Sequence, residues 1–231
     1  MCDDNIFFLT CRLDERKQRS GRMEKAKIPD IVVERLPVYL QALNHLLREG
    51  RGVVSSAELG RMVDVSAAQI RKDLSYFGGF GKQGSGYHVI SLIENLRAIL
   101  HLNQIWPVVI VGVGNLGQAL LRYQGFARRG FEIVLACDNN PDLIGSTQSG
   151  MQINDVRNLA DDLKRLNIQV AVLTVPAGCA QQVTDQLVSG GIRAILNYAP
   201  LVLKVPESVH VINIDPVVKL QTLTFYLEAE D

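Results

Sequence analysis

The residues with the clearest chemical potential form the run VVIVGVGNLG, Val108 to Gly117, with glycines at 112, 114 and 117 between an apolar stretch and a helical pattern. That spacing suits a ligand that carries phosphates. Gly112 permits a tight turn, Gly114 lets the backbone approach a pyrophosphate, and Gly117 lets helix and strand pack closely. A helix beginning near Asn115 then offers its N–H groups and positive dipole end to the phosphates. Some twenty residues past Gly117 a second strand-like run ends in Asp138. Its carboxylate is placed to accept from both hydroxyls of an adenosine ribose, whereas a 2′-phosphate would meet like charge, so NAD(H) is favoured over NADP(H). The expected contacts are Gly112, Val113, Gly114, Asn115, Leu116, Gly117 and Asp138.

A second constellation lies earlier in the chain. On a predicted helix from Ala67 to Phe77, Ile70, Leu74 and Phe77 fall at i, i+4 and i+7 and anchor a core side. The opposite side shows Gln69, Arg71, Lys72, Ser75 and Tyr76, with Ser66 at the start of the helix. Arg and Gln make paired hydrogen bonds to base edges in the major groove, and Lys and hydroxyls suit phosphates. Lys82 and Gln83, in the glycine-dense stretch Gly78 to Gly86, are placed to reach the minor groove or the backbone. Lys82 is the one basic residue of that stretch, so affinity is expected to rest on two copies of the domain.

The elements around these residues follow from capping and periodicity. Ile31 to Leu47 reads as a first helix, in which Pro37 marks a kink or the first turn. Ser55 with Glu58, and Ser66 with Gln69, form two capping boxes, and the tight connection through Asp64 predicts a helix-turn-helix. The glycine stretch followed by Tyr87, His88 and Val89 predicts a two-stranded hairpin, a wing, and Ser91 to Leu100 a closing helix. Beyond residues 103–107, apolar runs at Val108–Val111, Phe131–Cys137, Val170–Val175 and Ala194–Leu196 alternate with helices starting near Leu116, Val156 and Ala180. Such alternation predicts a parallel sheet covered on both faces. The expected fold is therefore α/β, a winged helix-turn-helix domain followed by a Rossmann-like domain. The expected boundaries are a flexible tail over 1–26, the DNA-binding domain over 27–103, the Rossmann domain over 104–213 and a terminal helix over 214–231. The run Val217 to Leu227 is apolar over too much of its circumference for a short helix without a partner, which predicts a homodimer.

At 231 residues with zero formal net charge, the chain has room for about two small domains and gives no global basic signal. No apolar run approaches the roughly 18 residues that span a bilayer, so no membrane role and a cytoplasmic location are expected. Cys2, Cys11, Cys137 and Cys179 show no zinc spacing, which predicts reduced thiols and no metal site. Little chain follows the glycine motif that could build a substrate domain, and His101 and His210 fall outside the expected crevice. No catalytic residue is therefore assigned, and NADH or NAD⁺ is expected as a regulatory ligand. Two alternatives stay open: an NAD-dependent dehydrogenase with an accessory helix-turn-helix, and a repressor sensing another adenine nucleotide.

Three ordered segments, QIRKDLSYFGGFGKQGSGYHV, GVGNLGQAL and LNYAPLVLKVPESV, together resemble the Rex redox-sensing transcriptional repressors from about Pro29 to Leu227. The resemblance implies a homodimer with a C-terminal helix swapped onto the partner subunit, bound to operator DNA and released by NADH. It also implies that Tyr123 lies near the subunit interface and the cofactor. Thr174, Val175, Pro176, Asn197, Tyr198 and Ala199 would line the nicotinamide side, and Arg71, Lys72 and Lys82 would contact DNA. Gln41, Gln83 and Pro216 depart from the family's usual residues.

Overall fold

A computed structural model describes residues 28–80 and 86–227, which fall into two units that part between His101 and Leu102. The tail over 1–26, Lys82 and Gln83 lie outside the described residues.

The first unit runs α1 (Asp30–Arg48), β1 (Val53–Val54), α2 (Ser56–Val63), α3 (Ala67–Ser75), β2 (Tyr87–His88) and α4 (Val89–Ile99). Val32, Leu36, Tyr39, Leu40, Leu43 and Leu46 recur at helical spacing and are all buried, while Asp30 and Arg48 complement the dipole at the two ends of α1. Because the helix starts at Asp30, Pro37 lies in its interior, not in its first turn, and packing of the apolar stripe holds α1 together across the lost backbone bond. Ser55 and Ser66 cap α2 and α3, each hydroxyl accepting from the N–H three residues on at 3.1 Å. The expected reach-back of the third residue goes elsewhere: the Glu58 carboxylate accepts from Arg51 at 2.8 Å, and the Gln69 amide donates to Asp73 at 2.6 Å. Asp64, left-handed at φ 53°, turns the chain between the two helices. The predicted local hairpin is corrected by the pairing. β2 lies antiparallel to β1, with Val54 opposite Tyr87, because buried Val54 anchors that segment and Val89 N–H donates to the Gly52 carbonyl at 3.0 Å.

One buried carboxylate ties α3 to α1. Asp73 is wholly buried; its Oδ2 accepts from Arg35 Nε at 2.6 Å and the Tyr39 hydroxyl at 2.5 Å. Its Oδ1 accepts from Arg35 Nη2 at 2.8 Å and Gln69 Nε2 at 2.6 Å. Burial alone would push the carboxyl up, but the donors of Arg35, Tyr39 and Gln69 together hold it below the ordinary carboxylate range.

The second unit begins with β3 (Trp106–Val111), α5 (Asn115–Arg122), β4 (Phe131–Asp138), β5 (Thr147–Gln148) and β6 (Met151–Asp155). It continues with α6 (Leu159–Leu166), β7 (Val170–Leu173), α7 (Ala177–Ser189), β8 (Ala194–Asn197), β9 (His210–Asn213) and α8 (Pro216–Leu227). Its described residues form a seven-stranded sheet in the order β5-β6-β4-β3-β7-β8-β9, parallel except for the β5–β6 pair. Alternate residues point to opposite faces. Val109, Val111, Leu135 and Leu173 meet Leu159, Leu163, Ala180 and Leu187 of α6 and α7 on one face. Val108, Ile110 and Val172 meet Leu120 and Leu121 of α5 on the other. There α5 leaves a hollow of about 370 Å³, lined by Val108, Phe131, Val170, Ala194, His210 and Tyr123 among others. No residue of α8 is buried.

Replacing Asp73 by Ala strands Arg35 and Tyr39 and is expected to destabilise the first unit by about 3 kcal/mol. Hydrogen exchange of the α1 and α3 amides measures this. Because the folded carboxyl titrates below its ordinary value, the stabilisation is complete above about pH 4 and is lost as pH falls through the lowered folded value. Wild-type and Asp73→Ala stabilities therefore converge in acid.

Candidate functional site

Parallel register brings the carboxyl ends of four strands to one crest: Val111 lies opposite Cys137 and Leu173, and Leu173 opposite Asn197. In an open sheet of this kind, ligands sit outside the strand ends where the order reverses, here between β3 and β7.

The glycine turn is built into that point. Gly112 is left-handed at φ 94°, and a Cβ there would lie 2.7 Å from the Thr174 carbonyl. Thr174 fastens the turn, its N–H donating to Val111 O at 2.9 Å and its hydroxyl to Gly112 O at 2.6 Å. A Cβ on Gly117 would lie 2.0 Å from Gly112 O, so only glycine lets α5 start this close to the turn. Gly114 differs: a Cβ there would meet nothing within 4 Å. Its missing side chain leaves open space beside the start of α5, and no side chain caps that helix. Its first N–H groups are thus available to an anion.

Asp138 holds the loop as well as facing it. Its Oδ2 accepts from Val113 N–H at 2.6 Å and its Oδ1 from Asn140 N–H at 2.8 Å. Each oxygen keeps a further lone pair for a ribose hydroxyl. Its chain neighbour Cys137 is buried, and its backbone oxygen accepts from Gly112 N–H at 2.9 Å. Burial, with Asp162, Asp155 and Asp138 nearby, pushes the Cys137 thiol up to about 12.

Gly112 to Gly117, Asp138, Thr174 to Pro176 and Asn197 to Ala199 all sit at this crest. Leu116 is exposed beside Asn115 in the first turn of α5, Pro176 precedes α7, and Ala199 is buried. The structure places two of the expected contacts differently from a direct ligand role. Asn197 is 1% exposed and its amide bonds inward, to Ala199, Leu201 and Asn213. Tyr123 follows α5, stacks edge-to-face with Phe126 and lines the hollow, away from the crest. His210 lines the same hollow at the opposite end of the strands, and no group of three or more His, Cys, Asp or Glu that could hold a metal occurs among the described residues. Open space at Gly114, uncapped N–H groups and a carboxylate at the end of β4 fit an adenosine pyrophosphate.

In the first unit, α3 exposes Arg71, Lys72, Ser75 and Tyr76 on one side. Arg71 bonds the Ser56 hydroxyl at 3.0 Å, and the Ser75 hydroxyl donates to Lys72 O at 2.7 Å. Gln69 is half-buried, with its amide held by Asp73. Asp73, which holds this surface from beneath, is the residue that sequence reading missed. The signal was there: an acid three residues after Ile70 and four before Phe77, on the apolar side of α3.

A helix-turn-helix unit joined to a nucleotide-binding α/β unit defines a DNA-binding regulator that answers to a nucleotide. Family matches divide the chain the same way: a putative DNA-binding protein N-terminus over residues 27–75 and a CoA binding domain over 103–201. Coenzyme A and the dinucleotides share an adenosine pyrophosphate, the part that a glycine turn addresses. The redox-sensing transcriptional repressor Rex of Chloroflexus aggregans is 52% identical over 202 residues, covering 87% of this chain and 95% of that protein. The crystal structure of RSP in complex with β-NAD⁺ and operator DNA superposes with a TM-score of 0.83 at 39% identity, covering 88% of this chain and 94% of that one. RSP in complex with β-NADH gives 0.81 at 37% identity, with 89% and 96% covered. The chain belongs to the Rex family of redox-sensing transcriptional repressors.

The two helix-proximal glycines are expected to separate under substitution. Gly114→Ala, entering open space at the helix cap, costs no more than about 1 kcal/mol of stability. Gly117→Ala, driven into a backbone carbonyl, costs about 3 kcal/mol or more. Chemical denaturation of the second unit, followed by Trp106 fluorescence, distinguishes them.

Proposed function

We propose that this chain represses transcription as a homodimer on double-stranded operator DNA and is released when NADH occupies the crest of the second unit, so that expression follows the NADH/NAD⁺ ratio. The observation that carries the reading is the glycine turn with its open Gly114 and Asp138 fastening, in a chain whose relatives are named redox-sensing repressors. The dinucleotide is a ligand here, not a reagent. Its nicotinamide changes charge with redox state, being cationic when oxidised and neutral when reduced.

Residues of this chain sort the two forms. Thr174, Val175, Pro176, Tyr198 and Ala199 carry no charge, and the Asn197 amide is turned inward, so a cationic ring would lose water without gaining a counter-ion. The neutral ring incurs no such penalty. At the other end, Gly114 and the first N–H groups of α5 hold the pyrophosphate, and Asp138 accepts from the ribose.

Dimerisation is supported by two unpartnered apolar surfaces. Val217, Val218, Leu220, Leu223 and Phe225 of α8 are each more than half exposed, and the hollow beside α5 is lined almost wholly by apolar groups. A swapped α8 would bury the first. Two copies of α3 would address half-sites about one helical turn, roughly 34 Å, apart, with Gln69, Arg71, Lys72, Ser75, Tyr76, Lys82 and Gln83 as the contacting set. In this reading the protein acts on DNA in the cytoplasm; among the described residues no helix is long and apolar enough to cross a membrane.

Fluorescence anisotropy on a pool of short palindromic duplexes at fixed salt tests the reading. Addition of NADH is expected to release the DNA, with NAD⁺ far less effective; release by neither sinks the proposal. Asp138→Ala is expected to weaken NADH at least about tenfold, ~1.4 kcal/mol, while sparing DNA affinity, and Arg71→Glu to do the reverse. Equal loss of both ligands in both variants would contradict the division of labour.

A further inference from the structure

Asn197 is a point of competition. Its Nδ2 faces three acceptors: Ala199 O at 3.2 Å, Leu201 O at 2.9 Å and Asn213 Oδ1 at 2.8 Å. An amide nitrogen has only two hydrogens. Its orientation admits no flip, because Oδ1 accepts from Ala199 N–H at 2.9 Å and every partner of Nδ2 is an acceptor. The first two acceptors belong to the loop at the crest, and the third belongs to the last residue of β9. From there the chain runs straight into α8: Ile214 N–H donates to Asn197 O at 2.8 Å, and Asp215 Oδ1 accepts from Val217 N–H at 2.9 Å in the first turn.

We infer that Asn213 is a positioning residue that couples the ligand loop at residues 198–201 to the root of α8, through competition for the two N–H groups of Asn197. A loop that draws both hydrogens of Asn197 onto Ala199 and Leu201 leaves Asn213 without its donor, and the Ile214 backbone bond is then the remaining tie from Asn197 to the root of α8. A loop that relinquishes one restores the side-chain bond, so that two ties hold the root of α8 to the end of β8. The inference rests on the reading above, in which a nicotinamide occupies this loop and α8 joins the two subunits. It adds the bond through which the first event reaches the second. Asn213 itself is exposed and lies outside the glycine turn and the α3 surface.

The test is a coupling measurement on the full chain. Operator affinity is measured by anisotropy with and without saturating NADH, and NADH affinity by fluorescence titration, for wild type, Asn213→Leu and Asn213→Asp. In Asn213→Leu the ratio of operator Kd values with and without NADH is expected to fall at least about tenfold towards one, while each affinity measured alone stays within about threefold of wild type. Asn213→Asp keeps an acceptor for Asn197 and is expected to retain the wild-type ratio within about threefold. An unchanged ratio in Asn213→Leu overturns the inference. So does loss of NADH or operator binding alone, or of the ratio in both variants, because each marks a general structural role. If wild type shows no ratio at all, the functional reading itself has failed, and that outcome is visible before any variant is compared.

Discussion

The second unit depends on how closely the end of β3 can approach the end of β7. At Gly112 the backbone of the turn and the carbonyl of Thr174 sit so near that a single methyl group would not fit between them. Thr174 then closes the gap with a backbone and a hydroxyl hydrogen bond. From that contact follow the start of α5 against Gly112, the N–H of Val113 aimed at Asp138, and the open space beside Gly114. The crest is an arrangement of backbone, and side chains mainly hold it shut. This explains how a site able to address a large anionic ligand needs no lysine or arginine within the glycine motif.

In the first unit a charged group plays the equivalent part. Four hydrogen bonds from Arg35, Tyr39 and Gln69 make Asp73 a fixed strut between α1 and α3. A purely apolar contact would allow small rotations of α3 about its axis at little cost. A carboxylate with two donor residues on α1 and one on α3 itself restricts them, and it fixes the rotamer of Gln69 at the edge of the exposed face.

Much of this was legible in the sequence where the governing contacts are local. The glycine spacing, the serine caps and the alternation of apolar runs each express an interaction within a few residues, and the crest, α2, α3 and the parallel sheet appear where they point. Partnerships across long separations were not legible. Asp73 pairs with a residue 38 positions away, β2 closes on a strand that precedes α2, and Asn197 turns from the ligand side because Leu201 and Asn213 offer it more acceptors than it can serve. Short strands with polar residues, β5, β6 and β9, carry too little pattern to stand out. Tyr123 reads from the family motif as a neighbour of the cofactor, yet within this chain it packs against Phe126 on the hollow, a placement set by the tertiary packing after α5 and not by the motif.

The burial of Cys137 bears on a different chemistry. A thiol that titrates near 12 is thiolate only to the order of one part in 10⁵ at neutral pH, and peroxides attack the thiolate. At Cys137 the strand that carries Asp138 thus offers oxidants almost no thiolate. Oxidation of a thiol is therefore a poor route for peroxides to reach this position, although it adjoins the glycine turn.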